Sequence, residues 1–277
     1  MKSRLARLAF TSLLAAALAS PAFAGATEDA LRSAVASPAR AAADSARDSQ
    51  RHPVETLLFF GLTPTMHVLE LWPGRGWYTE ILGPVLREHG RLSVTNADPN
   101  GPQDKYAFKM AREYAAWLKA NESRIGTVNV IQVAPPEQIA LGAADSLDLV
   151  VTFRNNHTWL SGGYHDAVYR EAFRALKPGG VLGVVQHRAP DGADPLVSAK
   201  NGYVSEAAVI AAAEAAGFVL GARSEINANP RDTKDYEKGV WTLPPNFAAG
   251  DLDRAKYAAI GESDRMTLRF VKPKPGE

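Results

Sequence analysis

Short stretches of continuous apolar residues alternate with amphipathic stretches along most of the chain. Residues 147–153 are almost uninterruptedly apolar, as expected of a strand that is buried on both faces. Residues 104–120 place large apolar side chains, from Tyr106 to Leu118, near the helical period of about 3.6 residues. The pattern predicts strands at 66–71, 91–97, 127–133, 147–153, 181–186, 217–226 and 265–271, and helices at 53–60, 77–88, 104–120, 164–176 and 205–216.

Apolar strands that alternate with helices predict an α/β fold, a Rossmann-like doubly wound and mostly parallel sheet with helices on both faces. No internal repeat and no shift in composition divides the chain, so residues 50–277 are expected to form one domain. A polar excursion at about 227–264 separates the last two predicted strands and is expected to be an insertion. Residues 25–49, rich in Ala, Ser, Arg and Asp, are expected to form a weak helix or a flexible lead-in.

The first 24 residues have the features of an export signal. A positively charged start is followed by the apolar residues 8–19 and by the small residues Ala22 and Ala24 at the positions that a signal peptidase reads. A membrane anchor is the alternative, but the apolar run is short for a bilayer about 30 Å thick. We therefore expect cleavage after Ala24, a periplasmic or secreted product, and no membrane span once the signal is removed.

Composition and charge exclude several classes of site. Of the 277 residues, 46% are hydrophobic and 22% are charged, which is ordinary for a globular protein. The chain has no cysteine, which excludes disulfides, thiolate zinc sites, iron–sulfur clusters and cysteine nucleophiles. Lys and Arg number 31 against 30 Asp and Glu, so no basic surplus indicates nucleic-acid binding.

A glycine-rich turn follows the first predicted strand. It begins at Glu70 and contains Gly74 and Gly76, whose missing Cβ atoms let the backbone approach a ligand. The Glu70 carboxylate can accept hydrogen bonds from a cationic amine. The alternative is a tight turn between strand and helix with no ligand.

An acidic residue, Asp98, follows the second predicted strand, 22 residues after Gly76. In open α/β sheets a carboxylate at this place accepts two hydrogen bonds from a ribose diol. The alternative is an Asx turn formed by Asp98, Pro99 and Asn100.

The order and spacing of these motifs resemble the class I S-adenosylmethionine-dependent methyltransferases, over about residues 50–273. More narrowly, the turn Pro-Gly-x-Gly-Trp-Tyr-Thr and the Arg-Asn-x-His stretch resemble a group of exported, predicted methyltransferases. The motifs that carry the resemblance are Glu70-x-x-x-Gly74-x-Gly76, the acid after the second strand, Leu147-Asp148 at the fourth, Leu176-Lys177-Pro178-Gly179-Gly180 before the fifth, and Ala215-Ala216-Gly217-Phe218.

The resemblance implies a seven-stranded sheet with an antiparallel last strand and S-adenosyl-L-methionine as cofactor. It implies that Glu70 faces the methionine amino group, that Gly74 and Gly76 line the cofactor, and that Asp98 binds the ribose. The sequence departs from the family at Trp72, which replaces the first glycine of the turn. Trp72 therefore either lines and narrows the cofactor pocket or turns away into the core.

Polar residues at the exits of the fourth and fifth strands are the candidates for chemistry. His157 and His187 have side chains whose ordinary pKa suits a general base, and Asn155 can orient a substrate by hydrogen bonds. The alternative is a loop histidine that caps backbone groups. No close pair of ligands indicates a metal site, so none is expected.

Two functions are compatible with these residues. The first is an S-adenosylmethionine-dependent methyltransferase that acts on a small-molecule nucleophile, with His157 or His187 as the base. The second is a catalytically inactive, exported small-molecule-binding protein on a methyltransferase fold. Trp72 favours the second function, as does the predicted export of a chain whose charged cofactor is made in the cytosol and does not cross a bilayer unaided.

Overall fold

The computed structural model describes residues 21–276, so the predicted export signal lies outside the described residues except for its last four. The strands are β1 His67–Leu71, β2 Arg91–Asn96, β3 Val128–Gln132, β4 Leu147–Phe153, β5 Leu176–His187, β6 Val219–Ser224 and β7 Arg265–Val271. The helices are α1 Pro21–Val35, α2 Ala42–Ser45, α3 Asp48–Arg51, α4 Pro53–Phe59, α5 Thr79–Leu86, α6 Tyr106–Ile125, α7 Asn156–Ser161, α8 His165–Ala175, α9 Pro195–Lys200, α10 Glu206–Ala215 and α11 Arg254–Ile260.

All seven strands belong to one sheet in the order β3-β2-β1-β4-β5-β7-β6. Neighbouring strands from β3 to β5 are parallel, and β7 is antiparallel to both β5 and β6. Leu71 lies opposite Thr152, and His187 lies opposite Arg265, so the ends of β1, β4 and β5 and the start of β7 meet at one edge of the sheet. The predicted fold class is confirmed, including the antiparallel last strand.

The two faces of the sheet are covered by different helices. Because side chains alternate along a strand, Val68 packs towards α1, α4, α5 and α6, whereas Leu69 and Leu71 pack towards α8 and α10. The central strand β4 is buried along nearly its whole length, which is why its sequence is continuously apolar.

The segment before α4 is part of this core. Leu31 and Ala34 of α1 are buried against the face that α5 and α6 cover. Further along, the indole N–H of Trp77 donates to the carbonyl of Asp44 at 3.1 Å, and the guanidinium of Arg40 lies over the same indole at 5.2 Å. The segment expected as a weak helix or a flexible lead-in is thus helical in part and attached to the glycine-rich turn.

The structure also differs from the predicted elements at several places. β5 begins at Leu176, earlier than predicted, because this residue pairs with Leu147 before a register shift in the ladder. The short helices α7 and α9 were not predicted, since six residues are too few to show a helical period. The excursion between β6 and β7 contains α11 and a 3₁₀ turn at Gly239–Thr242. Within residues 21–276, no helix is both long and apolar enough to cross a membrane.

Candidate functional site

A buried hydrogen-bond network anchors the glycine-rich turn to β1. The hydroxyl of Thr79 donates to the Glu70 carboxylate at 2.6 Å and lies 2.8 Å from the hydroxyl of Tyr114 on α6. Glu70 is 2% exposed, and this burial raises its pKa to about 7 against the opposing effect of the bond from Thr79. The carboxyl group therefore changes charge near neutral pH, and a cation placed beside it would favour its ionised form.

The two glycines of the turn have different surroundings. Both have left-handed backbone, with φ of 62° at Gly74 and 86° at Gly76. A Cβ atom on Gly76 would lie 2.9 Å from Trp117 and 3.0 Å from Tyr114, so this glycine is needed for the close approach of α6. A Cβ on Gly74 would meet no atom within 4 Å. Gly74 is therefore the glycine of this turn that faces open space.

The side chain of Trp72 lies against other aromatic rings. Its φ of 45° is left-handed, the conformation that the family's glycine supports. The indole packs 5.2 Å from the ring of Trp159 and 6.4 Å from that of Tyr164, and the backbone N–H donates to Thr95 Oγ1 at 2.8 Å. The indole is thus directed towards the core on the α8 side of the sheet, the side opposite to Glu70.

Asp98 forms a local turn at the exit of β2. Its Oδ1 atom accepts hydrogen bonds from the backbone N–H of Asn100 at 2.9 Å and from the side-chain amide of Asn100 at 3.2 Å. The Asx turn is therefore present, and it leaves Oδ2 without a hydrogen bond among the described residues. Asp98 is half-buried after the end of β2, the strand next to β1 and its glycine-rich turn.

Asn155 joins the exits of β1 and β4. Its side-chain amide donates to the carbonyl of Leu71 at 2.9 Å and contacts Thr152 Oγ1 at 3.1 Å. The residues that follow these two strands, Trp72 and Arg154, both have positive φ, at 45° and 66°. Left-handed non-glycine residues carry a conformational cost that the surroundings must offset. Asn155 fixes two such strand exits relative to each other.

The structure brings His157 and His187 together. Their rings lie 6.0 Å apart, and the edge of Trp241 lies 5.9 Å from His157. Gln186, which is fully buried, donates to His157 Nδ1 at 3.4 Å and to the carbonyl of Gly202 at 3.0 Å. Gln186 therefore orients His157 and leaves its other ring nitrogen without a hydrogen bond from the described residues.

Both imidazoles are held neutral. Burial lowers the pKa of His157 to about 4, with the positive charge of Arg154 acting in the same direction. Burial also lowers the pKa of His187 well below its ordinary value, and the charges of Arg154 and His157 lower it further. His187 Nδ1 lies 2.5 Å from Ser263 Oγ. At neutral pH both rings are therefore unprotonated, which is the form that a general base requires.

Two groups of candidate residues result, both at the carboxyl edge of the sheet. Glu70, Gly74 and Asp98 lie at the exits of β1 and β2, and the two histidines lie at the exits of β4 and β5. Sequence reasoning missed four residues that position them: Thr79, Thr95, Tyr114 and Gln186. Thr79 alone left a signal, because it closes the turn motif that carries the resemblance.

Cavities are found at both ends of the sheet. One of about 170 Å³ lies between the turn and α6, lined by Gly74, Arg75, Met110 and Trp117 among others. A larger one of about 450 Å³ opens around His67 and Arg91, at the amino ends of the strands, away from the candidate residues. In open α/β sheets ligands bind at the carboxyl ends, and the smaller cavity, which Gly74 lines, lies at that end of the sheet. Among residues 21–276, no group of three or more His, Asp or Glu could hold a metal ion.

Comparison with known proteins adds the following. Residues 69–184 match a family described as a methyltransferase domain. An S-adenosylmethionine-dependent methyltransferase from Aquifex aeolicus is 17% identical, with a TM-score of 0.54, and the match covers 88% of this chain and 98% of that one. The N-methyltransferase NodS from Bradyrhizobium japonicum is 16% identical, with a TM-score of 0.51, and the match covers 83% and 97%.

The [4+2]-cyclase SpnF is also similar, with 17% identity, a TM-score of 0.52 and 81% of each chain covered. No curated protein matches the chain. At these identities the likeness to solved structures concerns the fold, and one of these proteins is named for a reaction other than methyl transfer.

Proposed function

The chain carries a methyltransferase domain with the class I fold of the S-adenosylmethionine-dependent enzymes, and from this premise we propose that it transfers a methyl group from S-adenosyl-L-methionine to a small-molecule nucleophile. The observation that carries the proposal is the placement of Glu70, Gly74 and Asp98 at the exits of the adjacent strands β1 and β2. In open α/β sheets an acidic residue after the second strand binds the ribose, and the resemblance to the class I methyltransferases implies that the methionine tail lies beside Glu70.

The residues present fit this cofactor. Gly74 borders open space, since a Cβ atom added there would lie within 4 Å of no other atom. Asp98 keeps one carboxylate oxygen for a ribose hydroxyl, and Glu70 supplies a negative charge near the methionine amine. Trp72 packs on Trp159 rather than over Gly74. When bound there, S-adenosylmethionine would supply an electrophilic methyl group.

The protein's own contribution to the reaction is to place the nucleophile and remove its proton. We assign the proton-accepting role to His157 or His187, which are neutral at pH 7 and lie beside each other at the exits of β4 and β5. Gln186 holds His157 in one orientation, and Trp241 provides an apolar wall next to it. Asn155 fixes the strand exits that carry these groups. Most of the rate acceleration is expected to come from the proximity and orientation of the two reactants.

The direct test is calorimetric titration of the purified protein with S-adenosylmethionine and with its demethylated product. Asp98→Ala removes both the ribose contact and the Asx turn and should weaken binding by about 10- to 150-fold, because hydrogen bonds to a charged group contribute about 1.5–3 kcal/mol. Asp98→Asn keeps an oxygen for the turn and should weaken binding less. Asp104→Asn, at an exposed position nearby, is the matched control and should bind as the wild type does.

Two results would overturn the proposal. One is the absence of any heat of binding or thermal stabilisation with either compound. The other is binding without methyl transfer to any member of a panel of oxygen, nitrogen and sulfur nucleophiles, which is the result expected of the inactive binding protein.

We further propose that the protein is exported and acts outside the cytoplasm. The proposal is supported by the charged start, the apolar stretch and the small residues at 22 and 24. Cleavage after Ala24 would leave the buried Leu31 and Ala34 of α1 in place. Fractionation of cells expressing the full chain, with mass spectrometry of the product, should find Gly25 as the first residue. An intact Met1 terminus in the cytoplasmic fraction would refute export.

A further inference from the structure

Four arginines lie around Glu262 at the carboxyl edge of the sheet, and three of them, Arg51, Arg154 and Arg265, also lie near the candidate His187. We call Arg47, Arg51, Arg154 and Arg265 the arginine cluster. Arg265 begins β7 directly opposite His187, and Arg154 follows β4, two residues before α7. Arg47 and Arg51 come from the segment before α4, which reaches this edge of the sheet.

One carboxylate, that of Glu262, pairs with three of the four arginines. Glu262 accepts from Arg47 Nε at 2.6 Å and from Arg51 Nε at 3.1 Å, and it lies 3.1 Å from Arg265 Nη1. Burial by itself would raise the pKa of Glu262, but the charges of Arg51, Arg265, Arg47 and Arg154 outweigh it and hold the pKa at about 2. Four positive charges therefore face one negative charge.

Several donors of the cluster are unsatisfied. Arg51 is 1% exposed, yet its Nη1 and Nη2 atoms have no hydrogen-bond partner among the described residues, and neither has Arg47 Nη2. The half-buried guanidinium of Arg154 makes no hydrogen bond or ion pair with any residue of the described range. A buried charge without its partners is strongly unfavourable, so these groups point to an anion that the chain itself does not supply.

Packing accounts for only part of this arrangement. The guanidinium of Arg51 lies over the indole of Trp77 at 4.6 Å, and such a contact explains where the side chain rests. It leaves the in-plane N–H groups without acceptors. Ordered water would satisfy hydrogen bonds but would not balance the charge. Burial and the neighbouring charge of Arg51 lower the pKa of Arg154, and the guanidinium stays protonated, so the repulsion between them persists.

We propose that the arginine cluster binds a small oxyanion, a carboxylate or phosphate group that belongs to the methyl acceptor. Guanidinium groups match the planar geometry of these anions with paired hydrogen bonds. The register pair of His187 and Arg265 places such a group next to the candidate bases. The identity of the anion as part of the acceptor rests on the proposed function, whereas the binding of an oxyanion does not.

The test is titration of the purified protein with inorganic phosphate and, separately, with acetate, against sodium chloride at the same ionic strength. We expect saturable binding and thermal stabilisation by one of the two anions beyond the effect of chloride. Arg154→Gln, at a residue without protein partners, should weaken this binding at least tenfold. Arg170→Gln, which removes an exposed arginine on α8, is the matched control and should leave it unchanged.

A second variant gives a readout of opposite sign. Glu262→Gln removes the carboxylate that pairs with Arg47, Arg51 and Arg265 and should tighten anion binding several-fold, a gain that a damaged fold would not produce. The proposal is overturned if neither anion binds beyond chloride, or if Arg154→Gln and Arg170→Gln bind phosphate and acetate equally well.

Titration of the same preparations with S-adenosylmethionine separates the two proposals. Cofactor binding without anion binding would refute the arginine site and leave the methyltransferase proposal standing. Anion binding without cofactor binding would support the site and refute its assignment to a methyl acceptor. Stronger phosphate than acetate binding would identify the acceptor as a phosphate compound, and the reverse would identify it as a carboxylate.

Discussion

Replacing each glycine of the turn by alanine separates packing from ligand access. Both positions have left-handed backbone, and an alanine there costs about 1–2 kcal/mol. Gly76→Ala adds a methyl group 2.9 Å from the half-buried Trp117 and 3.0 Å from Tyr114, which is held in the core. Overpacking of this kind costs about 1–3 kcal/mol more. We therefore expect losses in unfolding free energy of about 1–2 kcal/mol for Gly74→Ala and about 2–5 kcal/mol for Gly76→Ala.

Urea denaturation measures these losses, and thermal unfolding should follow with a fall in Tm of about 2–4 °C for each kcal/mol. In cofactor affinity, measured per folded molecule, the order should be reversed: Gly74→Ala should lose more affinity than Gly76→Ala. Gly74→Ala projects its methyl group into the open space that we assign to S-adenosylmethionine, so it should weaken binding, whereas folded Gly76→Ala should bind nearly as the wild type does.

Equal losses of stability in the two variants would refute the packing role of Gly76, because the backbone cost alone would then account for both. Unchanged cofactor affinity in Gly74→Ala would refute the assignment of the space beside Gly74. The two outcomes are independent, since one is read from the unfolding free energy and the other from a titration.

Three further predictions concern charge and shape at the site. Burial raises the pKa of Glu70 from 4.5 to about 7, so between these pH values the native state holds a proton that the unfolded chain has released. The unfolding free energy should therefore fall by about 3 kcal/mol as pH rises from 4.5 to 7. Denaturation at several pH values should show that Glu70→Gln loses this decline. If His157, with a pKa of about 4, is the base, methyl transfer should be lost only as pH falls through about 4, and His157→Gln should lower kcat by about 10²–10⁴-fold and abolish that limb of the pH–rate profile. Trp72→Gly should lower the unfolding free energy by about 1–3 kcal/mol through lost aromatic packing, but should change S-adenosylmethionine affinity by less than about threefold; a tenfold gain in a titration would show that the indole blocks the site.

The sheet could be predicted from the sequence because its central strands β1 and β4 are buried along nearly their whole length. Seven apolar runs were found near their observed positions, and β4 and β7 have the predicted bounds. The helix α7 escaped prediction because it is a short helix placed directly after a strand. The packing role of Gly76 could not be predicted from local sequence, because its neighbours Tyr114 and Trp117 lie about forty residues further along the chain. The candidate residues at strand exits followed from topology, whereas Thr79 and Gln186, which orient them, are defined only by three-dimensional contacts.

The position of the family match explains why it indicates methyl transfer but no acceptor. Residues 69–184 contain the proposed cofactor contacts Glu70 and Asp98 together with Arg154, but they exclude the rest of the arginine cluster, His187 and Glu262. Those residues come from the segment before α4, from the end of β5 and from the region after it. The turn motif joins the two parts, because the indole of Trp77, within the matched residues, packs against the guanidinium of Arg51, which lies in the segment before α4. Substitutions outside the matched residues are therefore expected to change the selectivity for the methyl acceptor. Substitutions within them are expected to change the affinity for the cofactor.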